Sequence, residues 1–224
     1  MTKKLRLFSI AESQNGYFTS RQAVACGFAR PNFHLKLKSG EWVQEWRGIY
    51  RLGQYPIVTR PELTFWSLWS CDQKGKSQGI WSYETALDFH NLCDVMPAKL
   101  HLSVPSTFRK RLPPHSPLQL HTCNPVAIET ETHSGYRVTT PFRTLFDLAS
   151  ENSLSPGLLH QAIETAAARG LISNNQASKL NNLLVYGSAI SNLPRLSKEP
   201  RSPTSETRAH NKSRPPKSSQ KSRV

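Results

Sequence analysis

Thr19-Ser20-Arg21-Gln22-Ala23-Val24-Ala25-Cys26-Gly27, then Arg30-Pro31-Asn32-Phe33-His34-Leu35-Lys36-Leu37-Lys38-Ser39-Gly40, then Trp42-Val43-Gln44-Glu45-Trp46-Arg47-Gly48-Ile49-Tyr50-Arg51-Leu52 decide the fold of the first part of this chain. Thr19 and Gln22 have the spacing of a capping box. The threonine hydroxyl accepts from the third helical amide while the glutamine reaches back to the cap amide. The helix so started runs to Cys26, and Gly27 supplies the turn. Pro31 suits a first helical position, so a second helix is expected over 31–39, closed by Gly40. Two short strand patterns, 42–46 and 49–52, flank Arg47-Gly48 and read as a hairpin. A short helix over 5–14, with Leu7, Ile10 and Ala11 on one face and Gly16 at its end, precedes them. Residues 1–53 are therefore expected to form a winged helix-turn-helix.

The net charge of +14 over 224 residues is unevenly placed. Residues 1–60 hold ten Lys or Arg against three acids, residues 61–194 hold ten against ten, and residues 195–224 hold nine against two. The split is thus +7, 0 and +7. Positive charge on a small helical module and a tail, and not on the largest apolar segment, points to a nucleic-acid reader joined to something else.

Residues 53–61 read as a linker. Beyond them, helices are expected over 61–70 and, capped by Ser82, as far as Leu92. Strands are expected over 99–105, 118–122, 126–130 and 136–139, and helices over 141–150, 156–169 and 173–184. Strands between groups of helices give an α+β class, with a mixed α/β second domain over 61–192. From 193 to 224 Pro, Ser, Arg and Lys dominate, the composition of a disordered basic tail. That tail is either a non-specific nucleic-acid arm or an inert solubilising extension.

No apolar run approaches the length of a membrane span, and the first residues lack a signal-peptide core. A cytoplasmic protein with no membrane partner is expected. Cys26, Cys71, Cys93 and Cys123 stand singly with irregular gaps, the pattern of isolated thiols rather than of a zinc ribbon or redox pair.

About 100° per residue along the second helix puts Phe33 and Leu37 together, facing inward. Pro31, Leu35 and Lys38 then lie opposite, with Asn32 and His34 at the flanks. In a helix-turn-helix this outer face enters the major groove. Asn32 offers paired donor and acceptor groups to adenine, and Leu35 an apolar contact to thymine methyls. Arg30, Lys36 and Lys38 suit phosphates. The helix start at Thr19 and Ser20 is a second phosphate seat, Arg47 at the wing tip suits the minor groove or a phosphate, and Arg21 and Arg51 are further candidate DNA contacts. The plainer reading makes these the solvated faces of a small helical bundle.

Further stretches complete a pattern: Gly16-Tyr17-Phe18-Thr19, Gln22-Ala23, Gly40-Glu41-Trp42-Val43, Arg47-Gly48-Ile49-Tyr50-Arg51-Leu52, Ser82-Tyr83-Glu84-Thr85-Ala86-Leu87, His90-Asn91-Leu92, Met96-Pro97, Leu100-His101-Leu102-Ser103-Val104-Pro105, and Val138 through Ala149. Taken in order they resemble the AbiEi-type antitoxins over about residues 5–185. The resemblance implies a two-domain antitoxin of a type IV toxin–antitoxin, or abortive-infection, system. Its first domain would bind operator DNA and repress its own operon. Its second would counter a nucleotidyltransferase-like toxin. Leu35 stands where that family usually has a polar residue and Lys36 where it has an apolar one, which leaves the helix register open by one residue.

No cofactor and no enzymatic activity are expected. Glu129, Glu131 and Asp147 invite comparison with a metal-dependent nuclease, but no Lys follows either glutamate at the required spacing. Arg143 and Asp147, four apart on a helix, suit an ion pair. His101, His115, His121 and His133 lie in or near strands without the convergence that a metal needs. Two alternatives remain: a winged-helix regulator with no toxin partner, and a winged helix fused to a nuclease.

Overall fold

Eight apolar residues between Leu7 and Tyr50, among them Phe18, Phe28, Phe33 and Trp42, are drawn into one cluster with Ala11 at the heart of the N-terminal module. In the computed structural model, which describes residues 1–124 and 128–191, they are gathered by α1 (Lys3–Glu12), β1 (Tyr17–Thr19), α2 (Ser20–Ala25), a 3-10 turn (Arg30–Asn32), α3 (Phe33–Lys38), β2 (Trp42–Trp46) and β3 (Ile49–Leu52). The strands form an antiparallel sheet in the order β1-β3-β2. Three helices backed by a three-stranded sheet make a winged helix. The tail, and the expectation that it is disordered, lies outside the described residues.

Trp42 organises this module. Its ring meets Phe18, Phe28 and Phe33 edge-on at centroid distances of 4.9, 5.1 and 5.1 Å. Such T-shaped pairs contribute about 0.5–1.5 kcal/mol each beyond the area they bury. The capping box forms as the spacing requires: Gln22 N donates to Thr19 Oγ1, and Thr19 N donates to Gln22 Oε1 at 2.7 Å. Gly16 has φ +84°, and a Cβ there would meet the Tyr55 ring at 2.5 Å, so only glycine fits.

The second part comprises α4 (Pro61–Trp69), β4 (Ile80–Trp81), α5 (Tyr83–Phe89), β5 (Leu100–Pro105), β6 (Leu118–Cys123), β7 (Thr130–His133), β8 (Tyr136–Thr139), α6 (Pro141–Glu151), α7 (Pro156–Ala168) and α8 (Asn174–Ser191). Its sheet has the order β6-β5-β4-β8-β7. β4 runs parallel to β8 and β5 parallel to β6; the remaining pairs are antiparallel. One apolar cluster lies between α4 and the sheet, around Trp81, whose Nε1 donates to Leu63 O and Ser67 Oγ. Another is built from α5–α8, around Leu145, Leu148, Leu159 and Ile163.

Several expectations change. The helix expected over 31–39 is a 3-10 turn followed by a six-residue α-helix. The strand expected over 126–130 lies later, at β7, with 125–127 outside the described residues. Helix α5 ends at Phe89 rather than Leu92, and Ser82 makes no side-chain cap; its hydroxyl instead pairs with that of Ser103 at 2.7 Å. β1 and β4 add to the expected strands; with three and two residues, they are too short to display a period.

The segment 53–61 separates the two sheets in sequence but not in their packing. Tyr17 of β1 and Ile49 of β3 belong to the same apolar cluster as Leu63, Trp66 and Trp69. Asn15 Nδ2 donates to Thr64 Oγ1 at 2.8 Å. Ile49 is 4% exposed, so Ile49→Ala is expected to cost about 2–5 kcal/mol. In urea, tryptophan fluorescence and far-ultraviolet dichroism should shift together. Two transitions displaced independently would contradict the shared core.

Candidate nucleic-acid interface

The recognition segment presents the face that its periodicity requires. Phe33 is buried and Leu37 half-buried, while Arg30, Pro31, Asn32, His34, Leu35 and Lys38 are exposed. Leu35, at 54% exposure, points outward and Lys36 is half-buried, so the register read from Phe33 and Leu37 is the one adopted. Asn32 makes no side-chain cap and leaves its amide available. His34 Nδ1 lies 2.6 Å from Pro31 O, which tethers the ring to the start of its own helix.

The expected cations divide into two groups. Lys36 Nζ pairs with Glu41 at 2.7 Å, and Arg51 Nε pairs with Glu45 at 2.9 Å. The lysine holds the Glu41 carboxyl below the usual carboxylate range. Among the described residues, Arg21, Arg30, Lys38 and Arg47 form no ion pair. The start of α2 is less open than its sequence suggests. Ser20 N donates to Gly48 O at 2.9 Å and the Thr19 hydroxyl accepts from Gln22 N. The first of these bonds fixes the wing tip against α2. Gly48, at φ +80°, makes the sharp turn there.

A cleft of about 470 Å³ adjoins the wing tip. Thr19, Ser20, Arg21 and Arg47 line one side; Lys110 and Arg111, which lie outside the set expected from sequence, line another. A larger concavity, about 940 Å³, lies between α1 and the segments 39–42 and 52–56 and takes no residue from the recognition segment.

The residues weighed for catalysis have other partners. Asp147 receives Arg143 Nε at 2.9 and 3.1 Å on its two oxygens, the i,i+4 ion pair expected. Glu131 pairs with His133, and Glu129 accepts from Thr140. His121 Nε2 lies 3.1 Å from His101 Nδ1, and the Tyr83 ring stacks on His121 at 4.0 Å. Tyr83 OH donates to Glu151, and His101 faces Glu84 at 3.8 Å. Among the described residues no group of three or more His, Cys, Asp or Glu is arranged to hold a metal ion. Cys26 and Cys71 are buried, and Cys93 and Cys123 half-buried; all four are free thiols. Burial pushes the Cys71, Cys93 and Cys123 thiols up, which keeps them neutral. Among the described residues no helix is long and apolar enough to cross a membrane.

Three helices, a wing and an exposed basic helix face are the architecture on which winged-helix DNA readers are built. Residues 5–53, the N-terminal region, match the family described as "Transcriptional regulator, AbiEi antitoxin". The match does not extend into the second sheet. Among solved structures, the RV2827C protein from Mycobacterium tuberculosis is similar at 14% identity and a TM-score of 0.44, over 82% of this chain and 80% of that one. No curated protein matches the chain.

Burial lowers the pKa of His90, His101 and His121. Neutral His90 donates from Nε2 to Thr139 O at 2.8 Å. The unfolded chain therefore binds more protons than the folded one as pH falls below about 6.5. Stability that is full above that value is lost progressively towards the lower folded pKa values. Urea midpoints should fall from pH 7.5 to 5.5, and His90→Gln should reduce the fall. An unchanged pH slope in the variant would mean that His90 is not a source of it.

Proposed function

We propose that this chain is an operator-binding antitoxin: a repressor of its own operon in a type IV toxin–antitoxin system, active in the cytoplasm and paired with a nucleotidyltransferase-like toxin. The observation that carries the DNA half is the outward face of the recognition segment. Asn32 and Leu35 stand exposed for base edges, between Arg30 and Lys38, which have no acidic partner among the described residues. That arrangement in a domain of AbiEi type favours duplex DNA over a merely solvated bundle face. Thr19, Ser20, Arg21, His34, Lys36, Arg47 and Arg51 complete the proposed interface. Lys36 and Arg51 must give up Glu41 and Glu45 to take part.

The toxin half rests on the second domain. Of the apolar residues on and between its C-terminal helices, Leu145, Leu159, Ile163 and Ile172 are buried in its own core, whereas Phe146, Leu158 and Leu171 remain 37–40% exposed. Such residues suit a protein partner, since apolar and aromatic side chains form the centres of interfaces. We read the chain as a binding protein and not an enzyme. The engagement of Asp147 by Arg143 supports this over the nuclease alternative.

Removing one phosphate-binding cation should lower the slope of log affinity against log salt by about 0.9. Arg47→Ala and Lys38→Ala are each expected to do so in fluorescence anisotropy with duplex DNA. Arg51→Ala, already paired with Glu45, should change the slope less. Slopes equal to wild type in both Arg47→Ala and Lys38→Ala would remove the phosphate assignment. For the toxin half, Phe146→Ser with Leu158→Ser should abolish rescue in cells expressing the neighbouring toxin gene and leave DNA affinity unchanged. Full rescue by that double variant would exclude this face.

A further inference from the structure

The first helix carries its charge against its own dipole. Lys3, Lys4 and Arg6 stand in the first half of α1 and Glu12 at its last position, with no acid in the first turn and no base in the last. A helix is positive at its N-terminus and negative at its C-terminus, so this order is unfavourable for a helix standing alone. It becomes favourable when an antiparallel copy lies alongside, because each end then meets the opposite charge.

The outer face of α1 has the apolar residues that such a neighbour would cover. Leu7 and Ala11 face the core. Leu5, Phe8 and Glu12, spaced by three and four, share the outward side. Leu5 is 52% exposed and Phe8 44%. Beside them runs the concavity of about 940 Å³, with Leu5 and Phe8 on one wall and Leu52, Tyr55 and Pro56 on the other.

The charged groups of that face are only partly committed. Glu12 is exposed and forms no ion pair among the described residues. Lys4 lies 3.5 Å from Glu41, but Lys36 already holds Glu41 at 2.7 Å, and the Lys4 side chain remains exposed. A pair so open to water contributes little, which leaves Lys4 free to be shared. Lys3 and Arg6 are engaged on the other side of the helix. Lys3 Nζ lies over the Phe28 ring at 5.2 Å, and Arg6 Nη2 donates to Cys26 O at 3.3 Å.

We infer that this face and its groove hold α1 of a second copy of the chain, in an antiparallel two-fold pair. A two-fold contact must be self-complementary. An axis passing between Leu5 and Phe8 sets Leu5 of each copy on Phe8 of the other. The same axis brings each Glu12 to the opposite first turn, where Lys4 stands. Two apolar contacts form the centre and two ion pairs the rim. Two ten-residue helices make a small contact, so the dimer is reversible. The groove takes no residue from 30–38, and the inference does not depend on the DNA-binding reading.

The test is sedimentation of the full chain, without nucleic acid, over a wide range of concentration. The wild-type chain should pass from monomer to dimer. Phe8→Glu should stay monomeric throughout; the side chain it replaces lies at the surface, and an unchanged thermal midpoint verifies the fold. Lys4→Glu and Glu12→Lys should each weaken association about tenfold, because a symmetric pair feels each change twice. An equimolar mixture of those two variants should recover the dimer, since every acid at the rim then faces a base. A wild-type chain that stays monomeric, or a Phe8→Glu variant that dimerises as the wild type does, overturns the inference. So does a mixture that associates no more strongly than its components. A monomeric wild type whose Phe8→Glu variant loses toxin rescue gives the groove to the protein partner, which overturns it as well.

Discussion

The packing of Trp42 is the constraint from which the proposed DNA-facing surface follows. The indole sits on the first strand of the wing and touches Phe18 of β1, Phe28 of the turn and Phe33 of the recognition helix. Phe33 in turn lies edge-on to Tyr50 at 5.7 Å. One side chain therefore fixes the angle between sheet and recognition helix. With Phe33 held inward, helical geometry turns Leu35 and Lys38 outward. The exposed face is a consequence of the buried one. A six-residue helix has little stability of its own, so its position depends on this tertiary packing.

Electrostatics complete what packing begins. Lys4 and Lys36 are paired with Glu41 and Arg51 with Glu45. Arg30 and Lys38 on the recognition segment and Arg47 at the wing tip have no such partner among the described residues. In the second part of the chain the balance is spatial as well as numerical. Five of its ten bases lie in the loops 72–76 and 106–117 with a single acid, Asp72, while other acids lie on α5 with Glu84 and Asp88 and on α6 with Asp147 and Glu151. A neutral total thus conceals a polar arrangement, with basic loops turned to the wing and helices that leave Phe146 and Leu158 to solvent.

Much of this is legible in the sequence because local rules operate within a few residues. The Thr19–Gln22 box, the Gly48 turn and the inward pair Phe33 and Leu37 each depend on spacings of two to four residues, and each is present. What the sequence conceals depends on distant partners. Ser82 has the chemistry of a cap, but Ser103 on the adjacent strand takes its hydroxyl. Ile80–Trp81 is a strand only because β5 and β8 lie on both sides of it. Tyr17 and Ile49 resemble core residues of a small independent domain, yet they pack into the second core. Lys110 and Arg111 escape a sum of charge along the chain, because the cleft at the wing tip gathers cations that are distant in sequence. The run Arg109-Lys110-Arg111 with Lys74 and Lys76 is the available signal.

The central claim is that the recognition segment and wing tip form the DNA-binding face. Hydrogen–deuterium exchange of the full chain, with and without saturating duplex, tests it most directly. The account predicts slowed exchange over 30–38 and 46–48, and none over α7 (Pro156–Ala168). Unchanged exchange at 30–38 and 46–48 with the duplex demonstrably bound would contradict it.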